Sequence, residues 1–142
     1  MRALLLSALL ACPLPVHADA RGVVEVIDAD TFDVGGTRVR LHGVDAPEAA
    51  QACLDPLGRP WDCGAWATAR ARALWEGREA ACALVEIDRY GREVSRCEVG
   101  DVGAALVASG AAFAYTDYSR DYEAEERGAE AAALGLGRGT FA

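Results

Sequence analysis

From Gly22 to about Gly43 apolar and polar positions alternate, with Val24 and Val26, then Val39 and Leu41, each flanked by polar residues. A period of two is the mark of half-buried strands. Three are expected, "GVVEVID", "TFDV" and "TRVRLHG", the second and third joined by a "GG" turn. Residues 44–62 have no periodicity and read as a loop. A helix is expected from about Cys63 to Glu76, with Trp66, Ala69 and Ala73 on one face, Arg70 and Arg72 exposed, and Gly77 as the stop. "ACALVEI" and "REVSRCEV" are two further strands around a turn at Asp88 to Gly91. "DVGAALVAS" is a helix with Asp101 as its N-cap, ending before Gly110, and a last helix runs from about Ser119 to Ala133. Three strands, a helix, two strands and then helices is the order of an α+β protein built as a small five-stranded barrel with helices packed outside.

The first residues follow another logic. A basic start, the apolar run "ALLLSALLAC" and the small residues of "VHADA" form the pattern of a secretory signal peptide over residues 1–20, cleaved after Ala18 or Ala20. It is too short to span a bilayer as a mature helix, so no membrane insertion is expected after cleavage. Residues 21–142 then form one domain with one core. A secreted or periplasmic location follows, with lipid anchoring through Cys12 as the alternative reading of "LLAC". Loss of Cys12 leaves four cysteines, suited to two disulfides in an oxidising compartment. Cys82 and Cys97 flank the "DRYG" turn at equal distances, as cross-strand partners on a hairpin would. Cys53 and Cys63 close a short loop holding Pro56, Gly58 and Pro60, so the pairs Cys53 with Cys63 and Cys82 with Cys97 are preferred. Zinc is disfavoured because the sequence has no Cys-x-x-Cys or His-x-x-x-His spacing.

Charge narrows the function. All 14 basic residues are Arg and the formal net charge is −8. An acidic chain does not coat nucleic acid through its phosphates alone, but it can handle a polyanion where arginines are gathered at one site and a cation offsets the carboxylates. Three stretches offer such chemistry. "IDADT" puts Asp28 and Asp30 in a turn between strands, where both must be solvated or share a cation. "RVRLHGVDAPE" carries Arg40 off the core face of its strand and ends in Asp45 and Glu48 around Pro47, which stiffens the turn. Oxygen ligands on loops held by strands suit a hard cation such as calcium. His42 reads as a polar strand residue without a catalytic role. "DRYGRE" makes a tight hairpin turn at Tyr90-Gly91, with Arg92 opening the next strand.

Together and in this order, "IDADT", "RLHGVDAPE" and "DRYGR" resemble the staphylococcal nuclease (thermonuclease) family, over roughly Gly22 to Gly139. The resemblance implies an OB-fold β-barrel of five strands with about three helices, and calcium-dependent cleavage of DNA and/or RNA phosphodiesters. It implies Asp30 and Asp45 as metal carboxylates, supported by Asp28, with the carbonyl of Ala46 as a further ligand. Glu48 matches the carboxylate that orients or deprotonates the attacking water, and Arg40 and Arg92 match the arginines that hold the scissile phosphate. Tyr90 matches a tyrosine of the nucleotide site, with Tyr115 or Tyr118 as a second. A non-catalytic nucleic-acid-binding module is the alternative, and a calcium-binding structural protein would leave the arginines unused. A monomer is the plain expectation. The family pattern breaks at "GLGRGTF", where Gly137 replaces a tryptophan that packs the last segment, leaving that task to Phe141 or the disulfides.

Overall fold

A computed structural model describes residues 19–98 and 101–138. Most of the expected signal segment, Cys12 and Phe141 lie outside the described residues. Five strands, β1 (Ala20–Val26), β2 (Thr31–Val34), β3 (Thr37–Leu41), β4 (Glu79–Ile87) and β5 (Glu93–Glu98), close a barrel in the order β1-β2-β3-β5-β4. Neighbours are antiparallel except β3 and β5, which run parallel with Arg40 opposite Val94. The alternation seen in the sequence does what it predicts: Val24, Val26, Val39 and Leu41 are buried, and Phe32 and Val34 join them. Burying a side chain of this size contributes about 1.5–3 kcal/mol. The expected α+β barrel is therefore present.

Three helices pack around it: α1 (Cys63–Trp75), α2 (Val102–Ala108) and α3 (Glu123–Ala131). None is long and apolar enough to cross a membrane. Asp101 caps α2 as expected, accepting from the Ala104 N–H at 3.0 Å. On α1 the buried face is not Trp66, Ala69 and Ala73 but Ala67, Thr68, Ala71 and Trp75. With alanine on every side of the helix, the large indole of Trp75 decides which face turns inward. α3 starts later than expected because residues 115–119 close a turn of their own, and the Ser119 hydroxyl accepts from the Asp121 N–H. The loop expected at 44–62 holds short two-residue ladders. Val44–Asp45 pairs with Phe113–Ala114, and Cys53–Leu54 with Pro60–Trp61.

Both preferred disulfides form. Cys82 and Cys97 are direct cross-strand partners in β4 and β5. Cys53–Cys63 sits in a satellite cluster with Leu136, flanked by Trp61, Trp66 and Phe113. Leu136 thus does the packing that Gly137 does not, and a side chain at 137 would meet only ordinary contacts with Glu130. Ala20 is buried and pairs with Cys82 in β1, so removal of residues up to Ala18 leaves the strand whole, whereas removal through Ala20 shortens it.

Two outcomes are expected. Leu136→Ala lowers unfolding free energy by about 2–4 kcal/mol in urea titration, whereas Gly137→Ala stays within about 1 kcal/mol of the wild type. Replacing Cys82 and Cys97 together by alanine lowers it by up to about 3 kcal/mol, the chain-entropy value for a loop of this length.

Candidate active site

β3 ends at Leu41 and the chain turns through His42 and Gly43, whose φ of +72° suits glycine. A side chain there would also press on Ser119 and Tyr122. This turn sends Val44 to Glu48 back along the mouth of the barrel, beside the β4–β5 hairpin. A groove of about 520 Å³ opens between them. Arg40, Asp45, Ala46, Glu48, Tyr90, Arg92 and Tyr115 all line it, so the expected site residues other than Asp28 and Asp30 reach one surface. Asp30 lies immediately behind, 3 % exposed.

Asp30 ties three segments together. Its Oδ1 accepts from Arg40 Nη1 at 3.0 Å and from the Thr31 hydroxyl at 2.9 Å, and its Oδ2 accepts from the Ala46 N–H at 2.9 Å. Asp28, also buried, accepts from the Asp30 N–H at 3.2 Å. Arg40 extends the arrangement outward, donating from Nη2 to Asp45 at 2.8 Å. Burial pushes the Asp30 carboxyl up to about 7, with Asp28 adding to the rise and Arg40 opposing it. Burial works against the Arg40 charge too, yet Asp30 and Asp45 together hold the guanidinium above its usual range. One guanidinium thus serves two converging carboxylates and does not fully compensate the buried one.

The two carboxylates fit a hard divalent cation such as calcium, since Asp30 and Asp45 already converge on one shared positive charge. No group of three or more His, Cys, Asp or Glu side chains placed to hold a metal occurs among the described residues. A calcium ion held here would therefore complete its shell with backbone, water or phosphate oxygens.

The opposite wall is the "DRYGR" turn, organised by Asp88, a residue whose role its sequence context alone did not single out. Asp88 Oδ1 accepts from the N–H groups of Tyr90 at 2.8 Å and Arg92 at 2.9 Å, while its Oδ2 accepts from Arg92 Nε at 2.8 Å. Burial alone would raise Asp88, but the Arg92 N–H and guanidinium and the Tyr90 N–H outweigh it and hold the carboxyl low. An aspartate two residues ahead of a turn amide is the available sequence signal. The Tyr90 ring lies beneath two guanidinium groups, Arg89 at 4.8 Å and Arg92 at 5.5 Å. Tyr115 and Tyr118 stack at 5.1 Å, and both line the groove. His42, read as a polar strand residue, sits in the turn just after β3, 8 % exposed and outside the groove, and its Nδ1 has no hydrogen-bond partner among the described residues.

The sequence profile of the staphylococcal nuclease homologue family matches residues 38–139, most of the chain and nearly all of this groove. The chain belongs to that family. Among curated relatives, the micrococcal nuclease of Shigella flexneri is 31 % identical over 156 aligned positions, covering 96 % of this chain and 84 % of that protein. Protein ParB of Escherichia coli is 32 % identical, covering 88 % and 74 %. The succinoglycan biosynthesis protein ExoI of Rhizobium meliloti (strain 1021) is 41 % identical over 93 residues, 63 % of this chain; the chain spans 49 % of that protein's length. As a staphylococcal nuclease homologue the chain has a nuclease-type domain, and its groove carries the carboxylates and arginines described above.

Arg40 sets the electrostatic balance of the site. Arg40→Ala removes the charge that opposes the rise of Asp30, so Asp30 takes up a proton at pH 7 and the variant is expected to lose about 1–3 kcal/mol for the hydrogen bonds left unmade, read by urea unfolding in a chelator. Asp30 titrates higher in the folded chain than in the unfolded one, so its contribution is full below about pH 4 and is lost as pH rises through about 7. Calcium-free protein is expected to lose stability over that window. Asp30→Asn should remove the slope, and an unchanged slope in that variant would refute the assignment.

Proposed function

We propose that the protein is a calcium-dependent nuclease that hydrolyses phosphodiester bonds of DNA and/or RNA by in-line attack of water. The observation that carries this reading is the groove itself: Arg40, Arg92, Glu48 and Asp45 line one surface directly over the buried Asp30. Similarity to the micrococcal nuclease over nearly the whole chain supports it.

Asp30, Asp45 and the Ala46 carbonyl would hold the calcium, which would supply a second positive charge for the carboxylates and for phosphate oxygens. The chain's own groups do the rest. Arg92, its Nε fixed on Asp88, offers its remaining guanidinium donors to a phosphate in the groove. Arg40, with donors on both Asp30 and Asp45, is the group whose hydrogen bonds must be shared with that phosphate. Charge builds on the equatorial oxygens as water attacks, so both arginines bind the transition state more strongly than the ground state. Lysine would lack the planar fork this needs. Glu48, exposed on the groove wall, orients the water and takes its proton, while the displaced oxygen leaves with a proton from solvent. Tyr90, Tyr115 and Tyr118 offer flat faces on which unstacked bases rest. The two disulfides support a secreted or periplasmic setting.

Incubating the purified chain with single-stranded DNA and with RNA, in calcium and in chelator, tests the reading. Cleavage that needs calcium is expected, and a mobility shift without cleavage would instead select a nucleic-acid-binding module. Arg40→Ala or Arg92→Ala should lower the rate at least ~100-fold, on the order of 3 kcal/mol, and full activity in either would sink the phosphate-holding role of that arginine.

A further inference from the structure

Glu48 stands on a turn that is closed on its C-terminal side by Gln51. The Gln51 side-chain Oε1 accepts from the Glu48 N–H at 3.2 Å, and the Gln51 N–H donates to the Glu48 carbonyl at 2.8 Å. Gln51 therefore closes the turn with both backbone and side chain. Its own carbonyl accepts from the Gly64 N–H at 3.0 Å, in the first turn of α1, and lies 3.4 Å from the Cys63 sulfur. That sulfur is in a disulfide and carries no proton, so the second approach is a packing contact. α1 presses closely enough that a Cβ on Gly64 would sit 1.8 Å from the Glu48 carbonyl oxygen. Cys63 is in turn covalently tied to Cys53, two residues beyond Gln51.

We propose that Gln51, clamped by the Cys53–Cys63 disulfide and the start of α1, is a positioning residue that sets the place of Glu48 in the groove. The inference rests on the role proposed for Glu48 as the water-orienting base and adds to it a reason for a disulfide at this point. The Cys82–Cys97 bridge joins two strands already paired in the barrel, whereas Cys53–Cys63 fixes a segment whose only regular structure is a two-residue ladder. A general base must be held within a fraction of an ångström, and small misplacements lower turnover without weakening substrate binding.

Steady-state cleavage of single-stranded DNA in calcium distinguishes positioning from bulk stability. Gln51→Ala is expected to lower kcat about tenfold or more with KM within about twofold, because the arginines and tyrosines that bind substrate are untouched. Gln51→Glu keeps an acceptor for the Glu48 N–H and should recover most of the loss. Cys53→Ala/Cys63→Ala should lower kcat likewise, while Cys82→Ala/Cys97→Ala, assayed well below its melting temperature, retains wild-type kcat. Unchanged kcat in Gln51→Ala overturns the proposal, as does an equal fall in kcat for both disulfide variants. Hydrogen exchange gives a second readout, with the Glu48 amide expected to exchange faster in Gln51→Ala and equal protection counting against the clamp. Glu48→Gln separates the two levels. Full activity there refutes the role of Glu48 itself, whereas a crippled Glu48→Gln beside a fully active Gln51→Ala refutes the positioning alone.

Discussion

The Asp30–Arg40 ion pair is the interaction on which the rest of the groove depends. A carboxylate 3 % exposed, with a second buried carboxylate beside it, is tolerable only if its lone pairs are filled and its charge is met. Arg40 meets part of the charge, and the Thr31 hydroxyl and Ala46 amide fill further lone pairs. Because these donors come from β2, from β3 and from the segment before Pro47, satisfying one buried group fixes the relative places of three stretches of chain. Barrel closure supplies the opposite wall: the parallel pairing of β3 with β5 sets Val39 beside Glu93 and Arg40 beside Val94, so the "DRYGR" turn that leads into β5 lies next to the strand carrying Arg40, and both line the groove. The groove is the gap between a turn held by Asp30 and a turn held by Asp88.

This arrangement reconciles an acidic chain with a polyanionic substrate. Arginines at the groove are not simply spare positive charge, since Arg40 and Arg92 are each bound to carboxylates. Anchored guanidinium groups lose little freedom when a phosphate arrives and present a fixed fork to it. The wider surface contributes little attraction at a net charge of −8. The two anchored guanidinium groups stand where the chemistry is proposed to occur.

Much of this was legible in the residues because two kinds of signal were strong. Period-two alternation placed the strands, and short motifs carried their own geometry: the Asp101 cap, the hairpin turn at Tyr90-Gly91 and the cysteines equidistant from it all appear as expected. Where tertiary packing decides, local pattern failed. Nothing along α1 shows that Trp75 rather than Trp66 faces the core, since alanines surround the helix axis on every side. α3 begins only at Glu123 because a separate turn at 115–119, closed on the Tyr115 carbonyl, comes before it. The pairing of Arg40 with both Asp30 and Asp45 was also beyond reach, because alternation gives the face of a side chain but not its partner.

The break at Gly137 shows how a family packing device can be replaced rather than lost. A tryptophan fixing the last segment would serve by bulk; here the same region is held by Leu136, one position earlier, inserted beside a disulfide and flanked by Trp61, Trp66 and Phe113. Those aromatic residues come from the loop before α1, from α1 itself and from the short ladder that pairs Phe113 with Asp45. The satellite cluster is therefore not remote from the groove. One edge carries the terminal turn, another carries Cys63 and the start of α1, and a third runs through Phe113 to Asp45. Moving bulk from the end of the chain to a covalent staple and its aromatic neighbours stabilises the C-terminal turn and the segment bearing Glu48 together.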